Sequence, residues 1–164
     1  MKYLQQFAAL PLRRSPEIEI LLITSRETKR WIIPKGWPME GYTDAEGAAQ
    51  EAFEEAGIRG SMTTPKAGSY TYVKRKSEGG KAWCKVDVFV MDVEEILDLW
   101  PEVHQRRRQW FSPERAAIEI SEPEVADIIR AVAADRLGHV VKAPTFLQTV
   151  LRQIANVLRL LGLR

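Results

Sequence analysis

The stretch from Thr43 to Gly57 constrains this chain more than any other. Thr43-Asp44-Ala45-Glu46 reads as a capping box, in which the Thr43 hydroxyl accepts from the Glu46 amide and Glu46 reaches back. Ala45, Ala48, Ala49, Ala52 and Phe53 follow as an apolar stripe at helical spacing. Gly57 supplies the stop. The spacing predicts a helix over 44–56.

Strand-like runs flank that helix. Gln5 to Arg13 and Glu17 to Thr24 are apolar-rich and separated by the turn signal Arg14-Ser15-Pro16. Trp31-Ile32-Ile33 is a short strand ended by Pro34, and Lys35-Gly36-Trp37-Pro38 continues as a loop. Ser69 to Arg75 and Ala82 to Val93 read as strands joined by a hairpin turn over Ser77-Glu78-Gly79-Gly80-Lys81. In the second of these, Val86, Val88 and Val90 alternate with Asp87 and Phe89, which predicts a strand covered at least partly on both faces. Gln109-Trp110-Phe111 is a further strand, and Ser112-Pro113-Glu114 opens a short helix. A last helix is expected from Ser121 to Leu137, stopped at Gly138. This order predicts an α+β chain, an α/β/α sandwich with a mixed sheet. The chain has 164 residues, enough for one sizeable core and hardly for two. We place that domain at residues 1–141. Residues 142–164 form an extra C-terminal amphipathic helix, with Leu147, Val150, Leu151, Ile154, Val157, Leu158 and Leu161 on one stripe and no acidic residue. That tail suits a homodimer contact, a cover for the domain's own surface, or an anionic membrane surface.

The chemistry lies at the end of the first helix. Residues three and four apart share a helix face, so Glu51 meets Glu54 and Glu55 there. Like charges at this spacing cost a few tenths of a kcal/mol per pair. Glu54 and Glu55 also occupy the last turn, where the helix dipole disfavours anions by roughly 0.3–1 kcal/mol. Local stability does not explain such an arrangement, and a divalent cation does. Mg²⁺ takes oxygen ligands, keeps some water and bridges to phosphate oxygens.

Gly36, Glu51, Glu54, Glu55, Gly57 and Ile58 fall in register with the Nudix box: Gly, five residues, Glu, seven residues, Arg-Glu, an aliphatic residue, any residue, Glu-Glu, any residue, Gly, an aliphatic residue. The segment resembles that family. Two positions depart: the box's first Glu is Tyr42 here and its Arg is Gln50. Gln5 to Arg13, Trp31 to Gly36 and Arg107 to Ser112 further resemble the branch that hydrolyses diphosphoinositol polyphosphates and dinucleoside polyphosphates. The resemblance covers residues 5 to 136 and leaves out the tail. It implies water attack on a diphosphate linked to a moiety X. Glu51, Glu54 and Glu55 are implied as catalytic residues and as ligands to Mg²⁺ or Mn²⁺, with the Gly36 carbonyl as a further ligand. Glu54 is assigned the general base. The metal would activate water and offset developing charge.

A phosphate-rich small-molecule substrate needs positive charge nearby. Arg26, Lys29 and Arg30 precede the central strand, Lys35 precedes the box glycine, Lys74, Arg75, Lys76 and Lys81 ring the hairpin, and Arg106, Arg107 and Arg108 form a third cluster. Arg26, Arg30, Lys35, Lys74 and Arg108 are the expected substrate contacts. Trp37 and Tyr42 are candidates for stacking on a base or for anchoring the loop. His104 and His139 lack ligand spacing and read as ordinary polar positions. The net charge of only +2 argues against a nucleic-acid partner. Cys84 is the single cysteine, so no internal disulfide forms, and a cytoplasmic location is expected. No leader pattern and no transmembrane run is read from the sequence. Beside the Mg²⁺-dependent hydrolase stand two alternatives: a non-catalytic nucleotide- or phosphate-binding module, to which Tyr42 and Gln50 point, and an RNA 5′-end pyrophosphohydrolase.

Overall fold

Alternation along the strands decides the layers. The structure, a computed structural model, describes residues 2–140 apart from 15 and 77, with the side chains of 137–140 left aside. The expected C-terminal helix over 142–164 lies outside the described residues. The elements run β1 (Leu4–Arg14), β2 (Ile18–Thr24), β3 (Trp31–Ile32), β4 (Lys35–Gly36), α1 (Asp44–Ala56), β5 (Ile58–Arg75), β6 (Lys81–Ile96), β7 (Arg108–Phe111), α2 (Pro113–Glu119) and α3 (Pro123–Val140). The strands form one mixed sheet in the order β3-β2-β1-β6-β5, with β4 paired to β1 and β7 to β2. The β1–β6 pair is parallel and the others are antiparallel.

Ala8, Leu10 and Leu12 of β1, Ile20 and Leu22 of β2, and Val86, Val88 and Val90 of β6 form one core with Ala116 and Ala117 of α2 and Val125 and Ile129 of α3. Their neighbours on the opposite pleat, Phe7 and Ala9, Leu21 and Ile23, Phe89 and Met91, form a second core with Ala45, Ala48, Ala52 and Ala56 of α1. Side chains of period two thus face two helical layers, giving the expected α/β/α sandwich. Cys84 is buried and unoxidised inside β6.

Three elements differ most from the sequence expectation: Lys35–Gly36, expected within a loop, pairs with β1 as strand β4, and two others change their bounds. β5 begins directly after α1 at Ile58, not at Ser69, and it carries register shifts between Arg59 and Gly60 and between Thr63 and Gly68. Its first half is largely exposed and offers no apolar alternation to read, so pairing with β6 makes it a strand. α3 runs through Gly138 to Val140, since a glycine inside a helix costs only ~1 kcal/mol against alanine. Met1–Ala133 form one compact unit, and the chain from Ala134 onward belongs to a second.

Candidate active site beside helix α1

The capping box fixes where α1 starts. Thr43 accepts from the Glu46 amide at 3.3 Å, and the Thr43 amide donates to the Glu46 carboxylate at 2.8 Å. Gly57 ends the helix with φ 63°, in the left-handed region glycine favours, and its amide donates to the Phe53 carbonyl at 3.0 Å. With both ends fixed, Glu51, Glu54 and Glu55 are held at the helix end nearest β4.

Gly36 lies under Glu51. A Cβ built on Gly36 would stand 1.8 Å from Glu51 Oε1 and 2.0 Å from its Cδ, so only a glycine lets that carboxyl rest against the chain. Pairing of Phe7 with Gly36 and of Ala8 with Lys35 holds this backbone in place. Glu51 is half-buried, and its carboxyl is pushed up to about 7, first by burial and then by Glu55, Glu54 and Glu102. Glu55 is buried deeper. It accepts from the Lys35 amide at 3.1 Å and from Arg106 Nη2 at 2.5 Å. Burial pushes its carboxyl up, against the opposing pull of Arg106 and Lys35. Glu54 accepts from Gln50 Nε2 at 2.8 Å, so the neutral residue at the box arginine position does hold a glutamate.

These side chains border a groove of about 400 Å³. The groove brings together Arg26, Arg30, Lys35, Lys74, Gly36, Glu51 and Glu55 of the expected site. Lys35 is largely buried; desolvation pulls its pKa down, while Glu122 and Glu55 push it back up. The Lys74 ammonium lies 4.7 Å from the Trp37 ring, and Trp37 is 41% exposed at the groove. An adjoining hollow of about 560 Å³ shares Glu27, Trp37 and Lys74 and adds Arg75 and Lys76.

Three expectations need correction. Arg108 does not join the groove: its Nη1 donates to the Ala56 and Gly57 carbonyls at 2.7 and 3.3 Å, its Nη2 donates to the Leu97 carbonyl at 2.7 Å, and it stacks 4.0 Å over Trp100. A cation there satisfies the orphan carbonyls of a helix C-terminus. Tyr42 borders a separate hollow with Gln50, Phe53 and Arg59 and is not among the residues lining the groove. Glu54 is not among the groove-lining residues, because its carboxylate turns to Gln50. Among the described residues, no three His, Cys, Asp or Glu side chains gather as a ready metal cage.

Sequence reasoning missed Glu102 and the role of Arg106. Arg106 is buried, donates to Glu55 and Glu102, and reaches the Thr24 carbonyl at 3.1 Å. The one local sign is the spacing of Glu102 and Arg106, which is the i,i+4 spacing of an ion pair. Tyr72, whose hydroxyl donates to Gln6 Oε1 at 2.6 Å, also lines the groove without a motif to mark it.

The donor set fits a hard cation. Mg²⁺ is ordinarily held by one or two carboxylates with water and substrate phosphates, not by an all-protein cage. A half-buried Glu51 with three acidic neighbours presents the charge such an ion would neutralise. Two outcomes follow from this geometry. Gly36→Ala is expected to keep the parent's melting temperature within a few degrees, since the flexible end of Glu51 can swing aside. If Glu51 holds such an ion, the substitution should weaken Mn²⁺ binding by about 10–100-fold, the usual loss when a ligand's support is disturbed; parental affinity would show that Glu51 needs no contact with Gly36. The second outcome concerns pH. The folded protein binds a proton at Glu51 that the unfolded chain releases near 4.5, so between about pH 4.5 and 7 stability falls as pH rises. Calorimetry of metal-free protein should show this slope flattened in Glu51→Gln, and equal slopes would refute it.

Comparison with known proteins gives the family and the fold. A family model described as NUDIX domain matches residues 3–132. Mouse diphosphoinositol polyphosphate phosphohydrolase 3-alpha is 37% identical over 113 residues, covering 66% of this chain and 64% of that protein. Nudix hydrolase 13, mitochondrial, of Arabidopsis thaliana is 31% identical over 107 residues, covering 61% and 52%. The chain thus spans between half and two thirds of the length of these curated relatives. Among solved structures, a C. elegans Ap4A hydrolase binary complex superposes with a TM-score of 0.61 at 22% identity, covering 82% of this chain and 98% of that one. A NUDIX hydrolase from Nitrosomonas europaea gives 0.61 at 19% identity, covering 82% and 90%. At those identities the structures speak for the fold.

Proposed function

The chain belongs to the NUDIX domain family, and from that premise we propose that it is a divalent-metal-dependent hydrolase of a diphosphate linkage in a nucleoside or inositol polyphosphate derivative. The observation that carries the reading is the Glu51 carboxyl lodged on Gly36, with Glu54 and Glu55 beside it and five cations, Arg106 among them, along one groove. Relatives named for diphosphoinositol polyphosphates and for Ap4A support a substrate rich in phosphate. Mg²⁺, with Mn²⁺ as a substitute, would be held by Glu51, Glu55 and the Gly36 carbonyl, with Glu54 joining them once its carboxylate turns from Gln50. When bound, the metal supplies a low-pKa water and charge neutralisation at the phosphoryl oxygens.

The chain's own groups do the rest. Arg26, Arg30 and Lys74 bind and orient the anionic substrate. Lys35 stands one residue from Gly36, where its ammonium offsets charge that grows on the attacked phosphate. Glu54 is the general base of this reading; to take the proton of the attacking water its carboxylate turns from Gln50 toward the groove. We further propose a reducing compartment, the cytoplasm in the simplest case, for a chain whose one cysteine is a buried thiol. Among the described residues no helix is long and apolar enough to cross a membrane.

The test is a substrate panel of dinucleoside polyphosphates, diphosphoinositols, nucleoside triphosphates and nucleotide sugars with Mg²⁺, scored by phosphate products. Release that disappears in Glu54→Gln and Glu55→Gln supports the hydrolase. Tight binding with no turnover of any member favours the binding module, the reading that Tyr42 outside the groove and uncharged Gln50 support.

A further inference from the structure

Four acidic side chains, Glu51, Glu54, Glu55 and Glu102, influence one another at this site. The family's box arginine is replaced by Gln50, which reaches Glu54 alone and carries no charge. A guanidinium nevertheless stands among these carboxylates. Arg106 donates from Nη2 to Glu55 on α1, from Nε to Glu102, and from Nη1 to the Thr24 carbonyl at the end of β2. Its side chain is 6% exposed.

The backbone around it is tied on both sides. The Glu102 amide donates to the Glu54 carbonyl at 3.1 Å, and the Arg106 amide donates to the Glu102 carbonyl at 3.2 Å. The Arg107 amide donates to Thr24 Oγ1 at 2.9 Å, and the Thr24 amide donates back to the Arg107 carbonyl at 2.9 Å. Three acceptors on three parts of the chain thus converge on one planar fork. Arginine keeps its charge when buried and presents donors in fixed directions, which a lysine cannot do. A buried cation is costly unless it is paired, and this one is paired twice.

We propose that Arg106 is the positioning residue for the site's carboxylates, supplying from the segment between β6 and β7 the fixed positive charge that position 50 lacks in this chain. The proposal rests on the metal-dependent reading above. Arg106 borders the groove, yet its donors are taken by Glu55, Glu102 and the Thr24 carbonyl; it aims Glu55 and Glu102 and keeps them from splaying Glu51. Partners that orient metal ligands typically contribute 10–100-fold to metal affinity.

The rival account is an ion pair that merely fastens the β6–β7 segment to α1. The two differ at position 50, which Arg106 does not touch. An arginine there would start from a side chain already 2.8 Å from Glu54 and would return charge to the carboxylates without refastening the segment. The experiment uses the full chain as parent, Arg106→Gln, Arg106→Lys and the double variant Gln50→Arg/Arg106→Gln. Mn²⁺ binding is followed by electron paramagnetic resonance of the free ion, and melting temperature is measured without metal. Arg106→Gln is expected to bind Mn²⁺ about 10–100-fold more weakly, with Arg106→Lys between it and the parent. Gln50→Arg should recover most of the affinity in the double variant while the melting temperature stays at the value of Arg106→Gln. Parental or tighter binding in Arg106→Gln overturns the proposal, as does a double variant no better than the single one. Where Arg106→Gln fails to fold, Arg106→Lys and Glu102→Gln carry the test, and parental affinity in both overturns it. A parent chain that binds no Mn²⁺ removes the metal reading and the brace together, whereas a binding parent with an indifferent Arg106→Gln removes the brace alone.

Discussion

Glu51→Gln is expected to lower turnover by at least about 10²-fold, the scale on which single preorganised charges act in catalysis, while leaving the metal-free protein as stable as the parent near pH 4 and more stable at pH 8. The two halves have one cause. Glu51 is half-buried against Gly36, within the field of Glu54, Glu55 and Glu102. Its carboxyl loses its proton only near 7, so above that pH the metal-free fold contains an anion that burial and its neighbours disfavour. Glutamine keeps the shape and removes the charge. The variant's advantage therefore grows from about pH 4.5, where only the unfolded parent gains by ionising, to its full size above about 7, and function falls because a neutral amide is a poor partner for a hard cation. Such opposition of stability and activity is common at functional sites. Phosphate release under saturating Mg²⁺ and melting curves at the two pH values read the outcome. Parental turnover in Glu51→Gln would falsify the site assignment.

Glu55→Ala should cost about 3 kcal/mol of folding stability, the lower end of what breaking a buried ion pair costs. The carboxylate is the common acceptor for the Lys35 amide and for Arg106 Nη2. Truncation orphans one buried N–H and leaves a buried guanidinium with less compensation. The cost stays at the low end because Arg106 retains Glu102 and the Thr24 carbonyl. Urea titration of the metal-free protein measures it. Adding Arg106→Leu should recover part of the loss, since removing both partners of a buried pair is far less costly than removing one. A change under ~1 kcal/mol in Glu55→Ala would mean that the Glu55–Arg106 pair contributes little to the fold.

What was legible in the chain was local. The capping box, the alanine stripe and Gly57 lie within fifteen consecutive positions, and α1 follows them residue for residue. The alternation in β6 likewise announces two covered faces, and both cores meet there. The first half of β5 was not legible, because its residues are polar, mostly exposed, and made into a strand by a partner some 30 residues later in the chain. The destination of charge was the least legible property. Arg106 and Arg108 read as members of one cationic cluster. The fold sends Arg106 into the carboxylates and Arg108 to the end of α1, through contacts with residues about 50 positions away. Arg26, Arg30, Lys35 and Lys74 reach the groove because the strand ends that carry them converge there, a matter of topology and not of their immediate neighbours.

The parallel pairing of β1 with β6 has a bearing on how the chain is made. Leu12 finds its partner Asp92 about 80 residues later. At translation rates of about 5–20 residues per second, β1 waits roughly 4–16 s after its own synthesis before β6 exists. During that interval β1 can close a hairpin with β2, yet its other edge, with Phe7, Ala8, Ala9 and Leu10, stays open to water and to other nascent chains. The half-sheet is most vulnerable to aggregation in those seconds, and the ribosome, not the finished fold, sets how long they last.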